Sequence, residues 1–435
     1  MGFTSEKKTP SVYSATTVSS EGKAEGQVDL YAERPNQGSN MSAYFNIICV
    51  IAGTGALSLP NALAAGGWIG VGILVLSMLM SIYTGMLIIR CIYYNGHSRL
   101  ASYQEIGQHA FGKVGLWTVW FFHSSIILGV SVMYFILSGT EIETLVKDKV
   151  GLSDKAWIWI CCSVVSIPFV LMKTLKEVSL LSIFGVLTTV VMVGVAGVES
   201  IQDYNNKKGS FSNYDVVIAR NLPMVLATMS VSFGGNVIFC HVEEAMRHPR
   251  AWNRVLIAAM SSCCVMYLLV AIPGYITYGP DAKSPILRSL PPGISLKVAT
   301  IMIICHVLLA APVLMTSFAL EVERVLGVTI EKMGRVRERM FRTVIRLAIM
   351  GVVGGIASLV PYFDAFLSLL GAFGNCMLIY VMPIAFYMKL FGWRSMKWYE
   401  IIWCAMILVI GLLSCVIGSI DAIKGLKARF DADRK

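Results

Sequence analysis

The chain has 435 residues, 56% of them hydrophobic and only 14% charged, with a mean hydropathy of +0.68 and a formal net charge of +10. A soluble domain carries roughly a quarter of its residues as charges, so the apolar excess must face lipid rather than water. Soluble enzymes, nucleic-acid binders and secreted disulfide scaffolds are thereby excluded, and the lysines and arginines, which fall mostly between apolar runs, act on membrane orientation.

Residues 1–41 are polar and contain no apolar core of the kind a signal peptide needs; they predict a disordered cytosolic tail. Eleven apolar stretches follow, each long enough to cross a hydrocarbon layer about 30 Å thick. They are residues 43–65, 69–93, 115–139, 156–172, 179–200, 221–242, 255–278, 296–320, 342–360, 363–388 and 399–420. The turn Gly66-Gly67-Trp68 separates the first two and Pro361 the ninth from the tenth, so residues 42–420 form the membrane domain and 421–435 a C-terminal tail. An N-terminus in the cytosol puts the larger share of the Lys and Arg residues there, including the dense run from Arg324 to Arg346. All eleven cysteines, from Cys49 to Cys415, lie inside apolar runs and read as packing residues.

Two spans carry helix-breaking residues at mid-membrane. The first contains Gly53-Thr54-Gly55-Ala56-Leu57-Ser58-Leu59-Pro60, and the sixth repeats the device with Phe233-Gly234-Gly235-Asn236. In lipid an unpaired backbone group costs several kcal/mol, so a break persists only where the freed groups face protein or a polar cavity. Two interrupted helices at matching places of two five-helix halves point to an inverted-repeat transporter with its substrate at the midplane. Free N–H groups at one half-helix end suit a carboxylate, and free carbonyls at another suit an ammonium or a metal ion, so a zwitterion matches both.

These residues carry a family resemblance. The run Gly53 to Pro60 followed by Gly66-Gly67-Trp68 resembles the first helix of the amino acid/auxin permease family, whose members have the LeuT fold. Phe233 to Asn236 through His241-Val242-Glu243-Glu244-Ala245-Met246 and Pro249 resembles its sixth helix. Gly274-Tyr275-Ile276-Thr277-Tyr278-Gly279 resembles the end of its seventh, and Leu370-Gly371-Ala372-Phe373-Gly374 with Pro383 and Tyr387 its tenth. The resemblance implies an all-α integral membrane protein of about eleven helices, a 5+5 inverted repeat with helices 1 and 6 broken. It also implies secondary active transport of amino acids across a vacuolar, other endomembrane or plasma membrane, driven by protons in most plant-like members and by sodium in some animal ones.

The place where sodium-coupled relatives carry an Asn holds Cys49, and the run before Pro312 is the apolar Leu308-Leu309-Ala310-Ala311. Sodium wants hard oxygen ligands, so protons are the expected coupling ion and no cofactor is expected; Thr316 and Ser317 one turn later keep sodium open as an alternative. For the substrate the expected contacts are Gly53, Thr54, Gly55, Ala56, Ser58, Phe233, Gly234, Gly235 and Asn236. Neither break carries a carboxylate or cation to pair with a charged side chain, which favours a neutral amino acid.

An ionisable residue within the membrane is costly to bury and therefore a functional candidate. Glu243 and His241, just past the second break, and His306 in the eighth span are the expected proton-coupling or gating groups, with His123 and Asp364 ranked below them. The bland alternative for Glu243 and Glu244 is simple pairing with Arg247 and Arg250 at the interface. A membrane-embedded enzyme lacks support, because no H-x-x-x-H pair and no phosphate-binding G-x-x-x-x-G-K-[ST] loop exists. A transporter-like receptor that binds an amino acid and signals through its tail remains the rival from another class.

Overall fold

The computed structural model describes residues 29–147, 149–172, 175–206, 214–360 and 363–433. Apolar runs of this length become helices because a bilayer leaves the backbone no other way to satisfy itself. The first span is α1 (Asn40–Ile51) and α2 (Thr54–Gly66), bent by 49° where they meet. Next come α3 (Ile69–Ile92), α4 (Tyr103–Val146), α5 (Asp154–Leu171) and α6 (Leu175–Asn206). The sixth span is α7 (Leu222–Ser232) and α8 (Asn236–Glu244), parted at Phe233, Gly234 and Gly235. Then follow α9 (Trp252–Tyr278), α10 (Ile294–Val325), α11 (Ile330–Leu359), α12 (Phe363–Leu369), the π-helical segment Leu370–Val381, α13 (Met382–Phe391) and α14 (Trp398–Asp433). Among the described residues ten spans are long and apolar enough to cross a membrane, and the bent α1/α2 pair makes an eleventh.

Several helix starts are fixed by side chains. Ser39 accepts from the Ser42 amide ahead of α1, Ser153 caps α5, and Ser102 caps α4 by accepting from the Glu105 amide. Glu105 returns the favour one residue early, its carboxylate accepting from the Ala101 amide at 2.5 Å. Helix α4 is longer than the expected span because a short preceding helix is joined to it across Phe111 and Gly112, where the glycine turns at φ 63°.

The tertiary grouping is that of a bundle against a scaffold. Broken pairs α1/α2 and α7/α8 pack with α3 and α9, while α4, α5, α10 and α11 pack on one another. Helix α6 lies along α10, α9 and α1, and α14 lies along the π-helical segment, α12 and α7. One face of the molecule, here the N-terminal face, carries residues 29–39 and the connections after α3, α8, α10 and α13. The opposite face carries the Gly66-Gly67-Trp68 turn, where Trp68 and Ile69 amides donate to the carbonyls of Asp215 and Val216.

The structure differs from the expected disordered N-terminal tail over residues 29–39. Residues 29–39 are docked on the end of α8 rather than free, with backbone bonds from Arg34 to Arg247, Gly38 to Ala245 and Arg247 to Gly38 of 2.9, 2.8 and 2.7 Å. Helix α14 continues to Asp433, so the polar C-terminal residues extend the last helix. Residues 1–28 and the Asp364 side chain lie outside the described residues.

Candidate functional site

Breaking a helix inside lipid frees carbonyl groups, and the cost of each is avoided only by a donor nearby. At the first break the Ile51 carbonyl lies 2.6 Å from the Tyr267 hydroxyl of α9, and the Ala52 carbonyl accepts from Thr189 of α6 at 2.9 Å. The same Tyr267 hydroxyl lies 2.5 Å from the Ser232 carbonyl at the second break. One phenol therefore shares its proton between both breaks and holds α1 and α7 together. Sequence reasoning missed Tyr267 and Thr189, since each lies in an unbroken span far along the chain.

Gly53 is closely enclosed. A Cβ there would sit 2.3 Å from His306 Nε2, so the imidazole of α10 occupies the space that glycine leaves. His306 is fully buried, and its Nδ1 lies 2.7 Å from Thr189 Oγ1 and 3.0 Å from the Gly185 carbonyl. A carbonyl only accepts, so the network assigns the ring hydrogen to Nδ1. Nε2 is then an unprotonated nitrogen, buried and without a hydrogen-bond partner, facing the first break. Gly55 is equally constrained, because its Cβ would fall 2.9 Å from the Ser232 backbone of α7.

Between the breaks lies an enclosed cavity of about 30 Å³. Of the residues expected to contact substrate, Thr54, Gly55 and Gly234 line it; Ile126, Ile127, Val130, Met133, Tyr134, Val237 and Leu314 supply its apolar wall. Asn375, from the π-helical segment, also lines it and was not foreseen. That amide is 2% exposed, its Nδ2 faces Gly234, and its Oδ1 has no partner. No Asp, Glu, Lys or Arg lines this cavity.

The other expected contacts are dispersed. Gly53 and Ala56 are buried beside the break without lining the cavity. Phe233 packs edge-on against Tyr267 at 5.3 Å, and Gly235 is closed in by Ile51 and Phe239. Asn236 donates to the Ile379 carbonyl of the π-helical segment at 3.4 Å. Ser58 lies nearer the opposite face, where Ser284 donates to it at 3.1 Å in a separate pocket with Asn61, Thr228 and Asp421.

Glu243 is fully buried and accepts from Tyr93 at 2.5 Å, from Arg99 at 2.8 Å and from Arg34 at 3.3 Å. The expected alternative partners are engaged elsewhere: Arg250 meets Asp29 at 2.6 Å, and Arg247 donates to the Pro35 carbonyl. Arg34 also donates to the Glu243 and Glu244 carbonyls at 2.9 and 3.1 Å, capping the last turn of α8, where a cation is favoured. Burial works against the charge on Arg99, but the carboxylates of Glu243 and Glu244 outweigh it and raise its pKa. These bonds join the end of α8 to residues 29–39 and to the connection after α3.

Deeper in the protein Glu321 of α10 stands between two histidines. Its Oε2 lies 3.2 Å from His123 Nδ1 of α4, and its Oε1 lies 3.3 Å from His241 Nε2 of α8. Gln104 donates to the same carboxylate at 2.5 Å. Of these, His241 was foreseen as functional, His123 was ranked low and Glu321 was missed, because it closes an apolar span and looks like an interfacial acid. Among the described residues no group of His, Cys, Asp and Glu has the geometry to hold a metal ion.

Comparison with known proteins joins this architecture to a family. A family model described as transmembrane amino acid transporter protein matches residues 36–424. The chain belongs to the transmembrane amino acid transporter family. Similar members include Amino acid transporter AVT1H of Arabidopsis thaliana, 27% identical over 409 residues, covering 91% of this chain and 92% of the relative. Amino acid transporter AVT1B of the same plant is 26% identical over 405 residues, covering 89% and 71%. Among solved structures, a Na+-coupled sialic acid symporter superposes with a TM-score of 0.55 at 14% identity over 92% of both chains. Mhp1, a nucleobase-cation-symport-1 family transporter, gives 0.53 at 11% identity over 92% of this chain and 96% of its own. At these identities the two structures speak for the fold: a LeuT-like transporter with helices 1 and 6 broken.

Proposed function

We propose that this family member is a secondary active transporter of a neutral amino acid, driven by protons, with its N-terminal face in the cytosol. The observation that carries the reading is the uncharged cavity at the two breaks, where the first turn of α2 offers N–H groups, Thr54 a hydroxyl, and Asn375 a free acceptor. Half-helix ends of this kind recognise the carboxylate and ammonium of a zwitterion, and the aliphatic wall suits an apolar side chain. A cavity of about 30 Å³ has room for about two waters and for no amino acid, so this is a closed conformation. Alternating access follows: the bundle carrying both breaks rocks against the scaffold, widening the cavity toward each face in turn. The unpartnered Nε2 of His306, a protonatable nitrogen buried against Gly53 at the first break, supports protons as the driving ion.

Sodium is the second reading, because Thr316 Oγ1 and Ser317 Oγ of α10 are buried without hydrogen-bond partners and are hard oxygens of the right kind. Purified protein in liposomes, offered a panel of labelled neutral amino acids under an imposed pH gradient or an imposed sodium gradient, decides between them. Accumulation with the pH gradient alone is the expected result. A sodium requirement overturns the proton reading, and saturable binding without flux under either gradient would make the protein a receptor instead.

A further inference from the structure

The cluster around Glu321 brings one buried carboxylate against two imidazoles from different helices. His123 Nε2 lies 2.8 Å from the Val237 carbonyl, which can only accept, so that nitrogen carries a hydrogen. Its other nitrogen, Nδ1, faces a carboxylate oxygen at 3.2 Å. Gln104 Nε2 lies 3.3 Å from that same nitrogen and 2.5 Å from the same carboxylate oxygen, so its two hydrogens can bridge imidazole and carboxylate when the contact is unprotonated, and an added proton, on the imidazole or on the carboxyl group, joins the two directly. His241 approaches the second carboxylate oxygen at 3.3 Å and offers the proton another resting place.

The cluster also straddles the moving parts. Glu321, His123 and Gln104 stand on the scaffold helices α10 and α4, whereas His241 and the Val237 carbonyl belong to α8 of the bundle. Rocking of the bundle must therefore break the bonds that fix where the proton sits. We propose that Glu321 with His123 and His241 is the binding site of the transported proton, an inference that rests on the proton-driven reading above. The proton leaves hydronium on one side, forms an N–H or O–H bond in the cluster, and departs to water on the other side; no other bond changes. Proton occupancy holds His123 against Val237 and Glu321 against His241, and its loss releases the bundle. The ionic layer of Glu243, Arg99 and Arg34 lies next along α8 and shuts the cluster off from the N-terminal face.

Other charged or titratable groups nearby are engaged. On α8, Cys240 gives its carbonyl to Arg99 at 2.5 Å, and Glu244 lies 3.9 Å from His241 Nδ1. From α11, Arg342 and Arg346 are taken up by Glu323, two residues from Glu321 on α10. The carboxylate is thus balanced by the two imidazoles alone.

The test uses the full chain in liposomes, with three readouts: exchange of labelled amino acid without a gradient, accumulation under a pH gradient, and substrate-linked proton movement followed by an internal pH dye. Glu321→Gln is expected to keep exchange within about threefold of the native protein while losing at least about tenfold in accumulation, together with its proton signal. Normal accumulation and proton movement in that variant would overturn the assignment and leave proton-driven transport standing. A native protein that ignores the pH gradient would instead sink the underlying reading. Should Glu321→Gln not insert, His123→Gln and His241→Gln carry the test: each is expected to move the pH of half-maximal accumulation by about half a unit or more, and an unchanged profile in both overturns the assignment.

Discussion

The two halves of this transporter's machinery are built from opposite materials. At the midplane the breaks are satisfied by neutral groups: the Tyr267 phenol on Ile51 and Ser232, Thr189 on Ala52, and an imidazole seated on Gly53. Toward the N-terminal face the closure is ionic, with Glu243 held by Arg99, Arg34 and Tyr93, and Arg346 buried against Glu323 at 2.8 Å. The contrast has a physical reason. A fixed charge at the midplane would have to be neutralised in every conformation, whereas at the water boundary a charge pair can open into solvent at little cost. On the proposed function, substrate recognition would fall to dipoles and hydroxyls, and gating to ions.

Crowding at the first break gives the largest expected effect. Gly53→Val places a side chain into the His306 ring, which must shift away from Thr189 and Gly185 to admit it, and uptake should fall at least about a hundredfold in a protein that still inserts. Adding His306→Gly to the same chain removes the obstacle. Recovery of specific substrate binding in the double variant, measured by scintillation proximity, would show that the glycine serves the imidazole; no recovery would mean that the glycine serves the backbone.

Glu243→Gln comes next and probes the other region. The exchange leaves Arg99 and Arg34 without their buried counter-charge, which costs about 3 kcal/mol, the lower end for such pairs because both guanidinium groups keep some access to water. The closed N-terminal face should lose population. Alkylation of the buried Cys240 by an impermeant maleimide, read by mass spectrometry, is expected to speed up at least about tenfold. An unchanged rate would mean that the ionic layer does not hold the gate.

How much of this could be read from the sequence differs between the same two regions. Glycines and a proline inside an apolar run announce the breaks locally, so both interruptions, Thr54, Gly55 and Gly234 in the cavity, and the fold itself were legible. Partners reached across the fold were not. Glu243 is 144 residues from Arg99 and 209 from Arg34, and Glu321 is 80 from His241, so no window along the chain holds both members of a pair. Asn375 was hidden for another reason: it sits in an apolar run whose π-helical winding turns it toward Gly234, and the pattern of residues does not announce that winding. The docked strap of residues 29–39 looked like a solvated tail because its partners, Tyr93 and residues 243–250, lie far along the chain and three of its bonds to them are backbone bonds, which composition does not record.

Tyr267→Phe has a smaller effect, at the midplane. Removing the hydroxyl leaves two carbonyls competing for no donor, a penalty of about 1–3 kcal/mol expected as a lower melting temperature and about a tenfold loss of uptake. If stability and uptake are both unchanged, water has replaced the phenol, and the midplane is wetter than its closed cavity implies.

The smallest effect is expected where both materials meet, at Arg34. Its guanidinium, partly exposed, joins the ionic layer, while the backbone of residues 34–38 pairs with 245–247. Arg34→Ala therefore removes one ion pair and the cap on α8 but leaves the backbone bonds, a loss of about 1 kcal/mol. Hydrogen exchange should quicken over residues 29–39 and at the end of α8, while the core of α10 keeps its protection. Quickened exchange confined to the strap would assign the strap's docking to Arg34 and the gate's closure to Arg99. Spread of the change into His241 and its neighbours would mean that strap, ionic layer and proton cluster open as one unit.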